Sequence, residues 1–99
     1  MAKSYEDIVV EIDNHISKRG GKYSDYYCGI TNDAERRLFD EHNVDKEHGV
    51  WIYRTASSDD VARKVEQHFL DKGCEGGSGG GDESTKIVYC YKITSTTIE

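Results

Sequence analysis

Residues 86–94 read KIVYCYKIT, and within them Ile87, Val88, Tyr89 and Cys90 follow one another with no polar residue to mark a solvent side. A strand that is apolar on both faces belongs at the centre of a sheet, with cover above and below it. That requirement is demanding for 99 residues, a length that supports a single domain and a single core. The apolar share is low, 35%, so the core must draw on its aromatic residues, which bury large areas from few positions.

The rest of the chain supplies flanking strands and helical cover in alternation. Over residues 4–19, Tyr5, Ile8, Val9, Ile12 and Ile16 recur at helical spacing and form one apolar stripe. Ser4 is placed as its N-cap with Asp7 three residues on, and Gly20 and Gly21 end it. Glu6, Asp13, Asn14 and Lys18 occupy the solvated side, with His15 an edge residue beside the stripe. Tyr26–Thr31 has the aromatic and β-branched content of a strand. Gly29 within it marks either a bulge or a place where something approaches closely.

Asn32 is the expected cap of a short second helix, with Glu35 reaching back and an end near His42 and Asn43. Ala34, Leu38 and His42 share one face, with Arg37 on the flank and Arg36 turned further out. A polar connection over residues 44–49 leads to a strand at 50–55 that contains Trp51. Ser57 or Ser58 then caps a third helix whose stripe is Val61, Ala62, Val65 and Phe69, and Gly73 stops it. Glu66 follows Val65 directly, at the rim of the buried face, where a carboxylate can point into a cleft. Residues 76–81, glycine with one serine, read as a flexible loop within the domain. A phosphate-binding loop would require Lys-Ser or Lys-Thr next, whereas Asp82 and Glu83 follow. The expected architecture is α+β: a small, largely antiparallel sheet of three strands covered by three helices, in the order helix, strand, helix, strand, helix, strand.

With 13 basic and 19 acidic side chains the formal charge is −6. Such a chain repels polyanions at long range, which argues against non-specific DNA binding while leaving room for a local nucleic-acid site. Three cysteines, Cys28, Cys74 and Cys90, show neither paired spacing nor an even count, so reduced thiols and a cytoplasmic location are the expectation. No apolar run reaches the roughly 20 residues of a membrane span, and no membrane association is expected. Any protein partner is left open.

Residues 27–37, YCGITNDAERR, resemble the second half of the GIY-YIG nuclease motif, a Tyr-x-Gly strand followed by a helix that bears an arginine. Arg37 follows Gly29 by eight positions, and the resemblance extends through His42. It implies that Tyr27 is the second motif tyrosine, Arg37 the catalytic arginine and His42 the helix histidine. Glu66, in VARKVEQHF, is similar to the later glutamate that holds a divalent metal. The family's first motif is missing from its usual place before the second. The last strand, CYKIT at 90–94, is instead similar to the family's first strand, with Tyr91 in the tyrosine position. This arrangement implies a circular permutation in which residues 90–94 pair antiparallel with Tyr26–Thr31, setting Tyr91 beside Tyr27.

Two function classes follow from the resemblance. One is a phosphodiester endonuclease using Mg²⁺ or Mn²⁺ on Glu66, with Arg37 gripping phosphate oxygens, Tyr27 or Tyr91 as general base and His42 relaying a proton. The other is an inactive or repurposed binding protein on the same scaffold, without cofactor. In that case Tyr27 and Tyr91 are core residues, His42 is a core or capping residue, and Arg37 forms an ion pair with Glu66.

Overall fold

Ser4 ends an extended entry and accepts a hydrogen bond from Asp7 N at 3.3 Å, opening α1 (Tyr5–Arg19). Gly20, at φ +81°, closes it through its N–H to Ile16 O, a backbone conformation that side-chain-bearing residues rarely adopt. A 3₁₀ turn (Tyr23–Asp25) leads into β1 (Tyr26–Thr31). Next come a short π-helix (Arg36–Glu41), β2 (Trp51–Thr55), α2 (Asp59–Lys72) and β3 (Ile87–Lys92). This computed structural model describes residues 3–76 and 85–99. The expected flexible loop therefore lies outside the described residues apart from Gly76, where an added Cβ would sit 3.0 Å from Cys28 O and against Leu70.

The sheet order is β1-β3-β2 and both pairings are antiparallel. β3 is thus the central strand, and its residues Val88, Tyr89, Cys90 and Tyr91 are all buried, as its continuous apolarity requires. Tyr27 lies directly opposite Tyr91, and Trp51 flanks Tyr91 on the other side.

Strand alternation sorts the side chains onto two faces. Tyr26, Cys28, Ile30, Ile52, Val88 and Cys90 point to the face where α1 and α2 pack, joining Ile8, Ile12 and Ile16 and Ala62, Val65 and Phe69 in one cluster. Tyr27, Tyr89 and Tyr91 point to the opposite face and join Leu38 and Val44, with Phe39, Trp51 and Tyr53 at the margin.

Two capping expectations resolve differently. Ser58, not Ser57, caps α2, accepting from Val61 N at 3.2 Å. The middle helix is capped by Asp33, not by Asn32: Asp33 Oδ1 accepts from Arg36 N at 3.1 Å, while Thr31 Oγ1 accepts from Asp33 N. Thr31 and Asp33 hold the turn, and Glu35 makes no side-chain cap.

Candidate functional site

The π-helix shapes the second face. Its wider turn is closed by His42 N–H to Arg37 O at 2.9 Å, a five-residue step, and such insertions shift the side chains that follow. Ala34, Leu38 and His42 are buried together, as their spacing predicts, and His42 is only 3% exposed. Asn43, at φ +56°, then turns the chain away and donates from Nδ2 to Thr96 O.

Four of the residues singled out from the sequence meet here. The Tyr27 ring stacks on Tyr91 (centroids 5.3 Å apart, planes at 19°) and lies 4.7 Å from the His42 ring. Arg37 reaches the same cluster through Tyr89, which no motif singles out. Arg37 Nη2 donates to Tyr89 Oη at 3.2 Å, and the guanidinium also lies over the Tyr89 ring. Tyr89 Oη is 2.7 Å from His42 Nε2, while His42 Nδ1 is 2.7 Å from Ile98 O and 3.1 Å from Tyr91 Oη.

One tautomer satisfies these contacts together. His42 Nδ1–H donates to Ile98 O, and Nε2 accepts the Tyr89 hydroxyl hydrogen, leaving the Tyr89 oxygen to accept from Arg37. Tyr91 donates to Ile98 O at 3.4 Å. Burial pushes the His42 pKa down, against the opposing pull of the Ile98 carbonyl, so a neutral ring is favoured. Burial also pushes the phenols of Tyr89 and Tyr91 well above their ordinary value, more strongly than Arg37 lowers them.

Gly29 sits opposite Tyr89 in the ladder, and a Cβ there would lie 2.5 Å from the Tyr89 hydroxyl. The close approach expected at this glycine is therefore made by a side chain of the neighbouring strand. Tyr89 could have been found by parity, because it precedes Tyr91 by two residues and so shares its face. The carbonyl of Ile98 carried no comparable signal.

The structure does not bring Glu66 to this cluster. Glu66 is half-buried on α2, which packs on the opposite face of the sheet; its electrostatic neighbours are Arg63 and Cys28, and burial raises its pKa. Arg37 forms its ion pair with Glu41 at 2.6 Å, not with Glu66, and Glu41 also takes Arg36 at 3.1 Å. Among the described residues there is no group of three or more His, Cys, Asp or Glu suited to a metal ion. A Mg²⁺ or Mn²⁺ held on Glu66 does not fit the placement of the tyrosines and Arg37.

The three cysteines are free and buried on the helical face, Cys28 opposite Cys90 in the ladder. Burial pushes the Cys74 thiol up to about 11 and the other two upward as well, as befits inert packing thiols. Among the described residues, no helix is long and apolar enough to cross a membrane. No family model, curated protein or solved structure matches the chain.

Proposed function

We propose that the chain is an interaction module on a GIY-YIG-like scaffold, in which the tyrosine, histidine and arginine cluster stiffens a binding domain and performs no hydrolysis. The observation that carries this reading is the closure of the cluster. Tyr89 and Tyr91 are fully buried, His42 nearly so, and the hydroxyls and both ring nitrogens are engaged by protein groups. A general base must reach a water molecule and release its proton near neutral pH. Burial moves both phenols in the other direction. The carboxylate that the family resemblance assigns to the metal lies beyond the sheet.

The second reading is a permuted GIY-YIG nuclease acting on nucleic acid with Mg²⁺ or Mn²⁺. Its support is the pairing of Tyr27 with Tyr91 and the gathering of Arg37 and His42 on the same face. Plasmid nicking with either metal separates the two readings, using the wild-type chain, Arg37→Ala and Glu66→Ala. The interaction module predicts the same background from all three proteins. Metal-dependent nicking by the wild-type chain that both substitutions abolish would overturn it in favour of the nuclease.

A further inference from the structure

The two edges of the sheet are finished differently. The outer edge of β1 is covered by the segment after α2: Cys28 N donates to Glu75 O at 2.9 Å and Glu75 N to Tyr26 O at 2.8 Å. Among the described residues, the outer edge of β2 is met at its far end alone, where Lys3 N donates to Thr55 O and Ser57 N to Lys3 O. Since Val50 O accepts from Lys92 N in β3 and Ala56 N donates to Lys86 O just before it, alternation along the ladder turns the peptide groups of Trp51 and Tyr53 outward. Tyr53 O is taken by Arg54 Nη1 at 2.7 Å. The N–H and C=O of Trp51 and the N–H of Tyr53 have no main-chain partner among the described residues. An edge of this kind is a template for another strand.

Beside that edge lies a groove between β2 and α1, with adjoining cavities of about 570 and 500 Å³ that share His15, Arg19, Ile52 and Arg54. Lys18 also lines the larger one. On a chain of net charge −6 this groove is cationic. Its one lining carboxylate, Glu11, is already engaged by Arg54 at 2.6 Å and Lys3 at 3.1 Å. His15 Nε2 is buried there without a hydrogen-bond partner. On the other face of β2 the rings of Trp51 and Tyr53 stack with planes at 9°.

We propose that the outer edge of β2 accepts a fourth strand from a partner protein: an extended segment alternating acidic and apolar side chains. The acidic side chains lie against Lys18, Arg19 and His15, and the apolar ones against Trp51 and Tyr53. This deepens the interaction-module reading and rests on it. A second copy of the chain is a poor occupant, because pairing β2 with itself brings the cations of one groove against the same cations of the other.

The probe is a short capped peptide alternating glutamate and valine, titrated into the full chain while the emission of Trp51, the only tryptophan, is followed. Saturable binding is expected that weakens with salt and falls by at least about tenfold in the Lys18→Glu/Arg19→Glu double variant. Both residues are exposed, and circular dichroism verifies that the variant is folded. Replacing glutamate by lysine in the peptide, or N-methylating the amides on its pairing edge, abolishes binding. The proposal is overturned if the peptide does not bind, if charge reversal or N-methylation leaves its affinity unchanged, or if an oligothymidylate binds more tightly than the peptide. Nicking activity bears on the interaction-module reading alone, so the two ideas can fail separately.

Discussion

The two faces of the sheet are built on opposite principles. Against one face, two helices deliver an aliphatic and thiol-lined core in which isoleucines, valines and Phe69 meet Cys28, Cys74 and Cys90. Against the other, a π-helical turn and the C-terminal segment enclose tyrosines whose hydroxyls run into a histidine, an arginine and a main-chain carbonyl. The first face depends on area removed from water, which is non-directional. The second depends on every polar atom finding its partner at low dielectric, where an unmet group is costly. On that face the polar atoms of His42, Tyr89 and Tyr91 meet one another, Arg37 and the Ile98 carbonyl.

The largest effect is expected where the packing is driven by area alone. Phe69→Ala, at a fully buried site, should cost about 3–5 kcal/mol, read from the shift in urea midpoint. A cost well below that would mean the helical face is loosely packed and would blunt the contrast. Next comes Tyr89→Phe, which keeps the ring and removes one oxygen. It strands His42 Nε2 and one Arg37 donor and should cost about 1–3 kcal/mol. A neutral result in the same titration would make the aromatic face mere filling.

The smallest effect is in pH dependence. Burial lowers the folded-state pKa of both His42 and His15 below the ordinary 6.5. The unfolded chain then binds protons more readily, so stability is fully present above about pH 6.5 and declines as pH falls from there toward the folded-state values. Glu66, whose pKa is raised from 4.5, works in the opposite sense at lower pH. Urea midpoints measured from pH 7.5 downward should fall for the wild-type chain, and His42→Gln should reduce that slope. An unchanged slope would assign the dependence to His15 and the helical face.

Much of this fold was legible because it rests on local rules. The stripes of α1 and α2, the Ser4 cap, the Gly20 and Gly73 stops and the doubly buried β3 all follow from spacing and from residue chemistry within a few positions. The antiparallel meeting of Tyr27 with Tyr91 was anticipated by family resemblance and is observed in the ladder. Asn32 and Asp33 are equally good cap residues by type, and the hydrogen bond from Asp33 N to Thr31 Oγ1 decides for Asp33.

Periodicity and cap chemistry fix the class of architecture and the order of its elements, while the expectation that Tyr91 lies beside Tyr27 comes from the family resemblance, and the gathering of both with His42 is seen in the fold. The face on which Glu66 falls, the part taken by Tyr89 and the closing of His42 by Ile98 O are settled by packing between distant segments. Those outcomes depend on which side of the sheet a helix packs and where the chain's last residues settle. Both are set by contacts between residues far apart in the chain, and no local pattern encodes them.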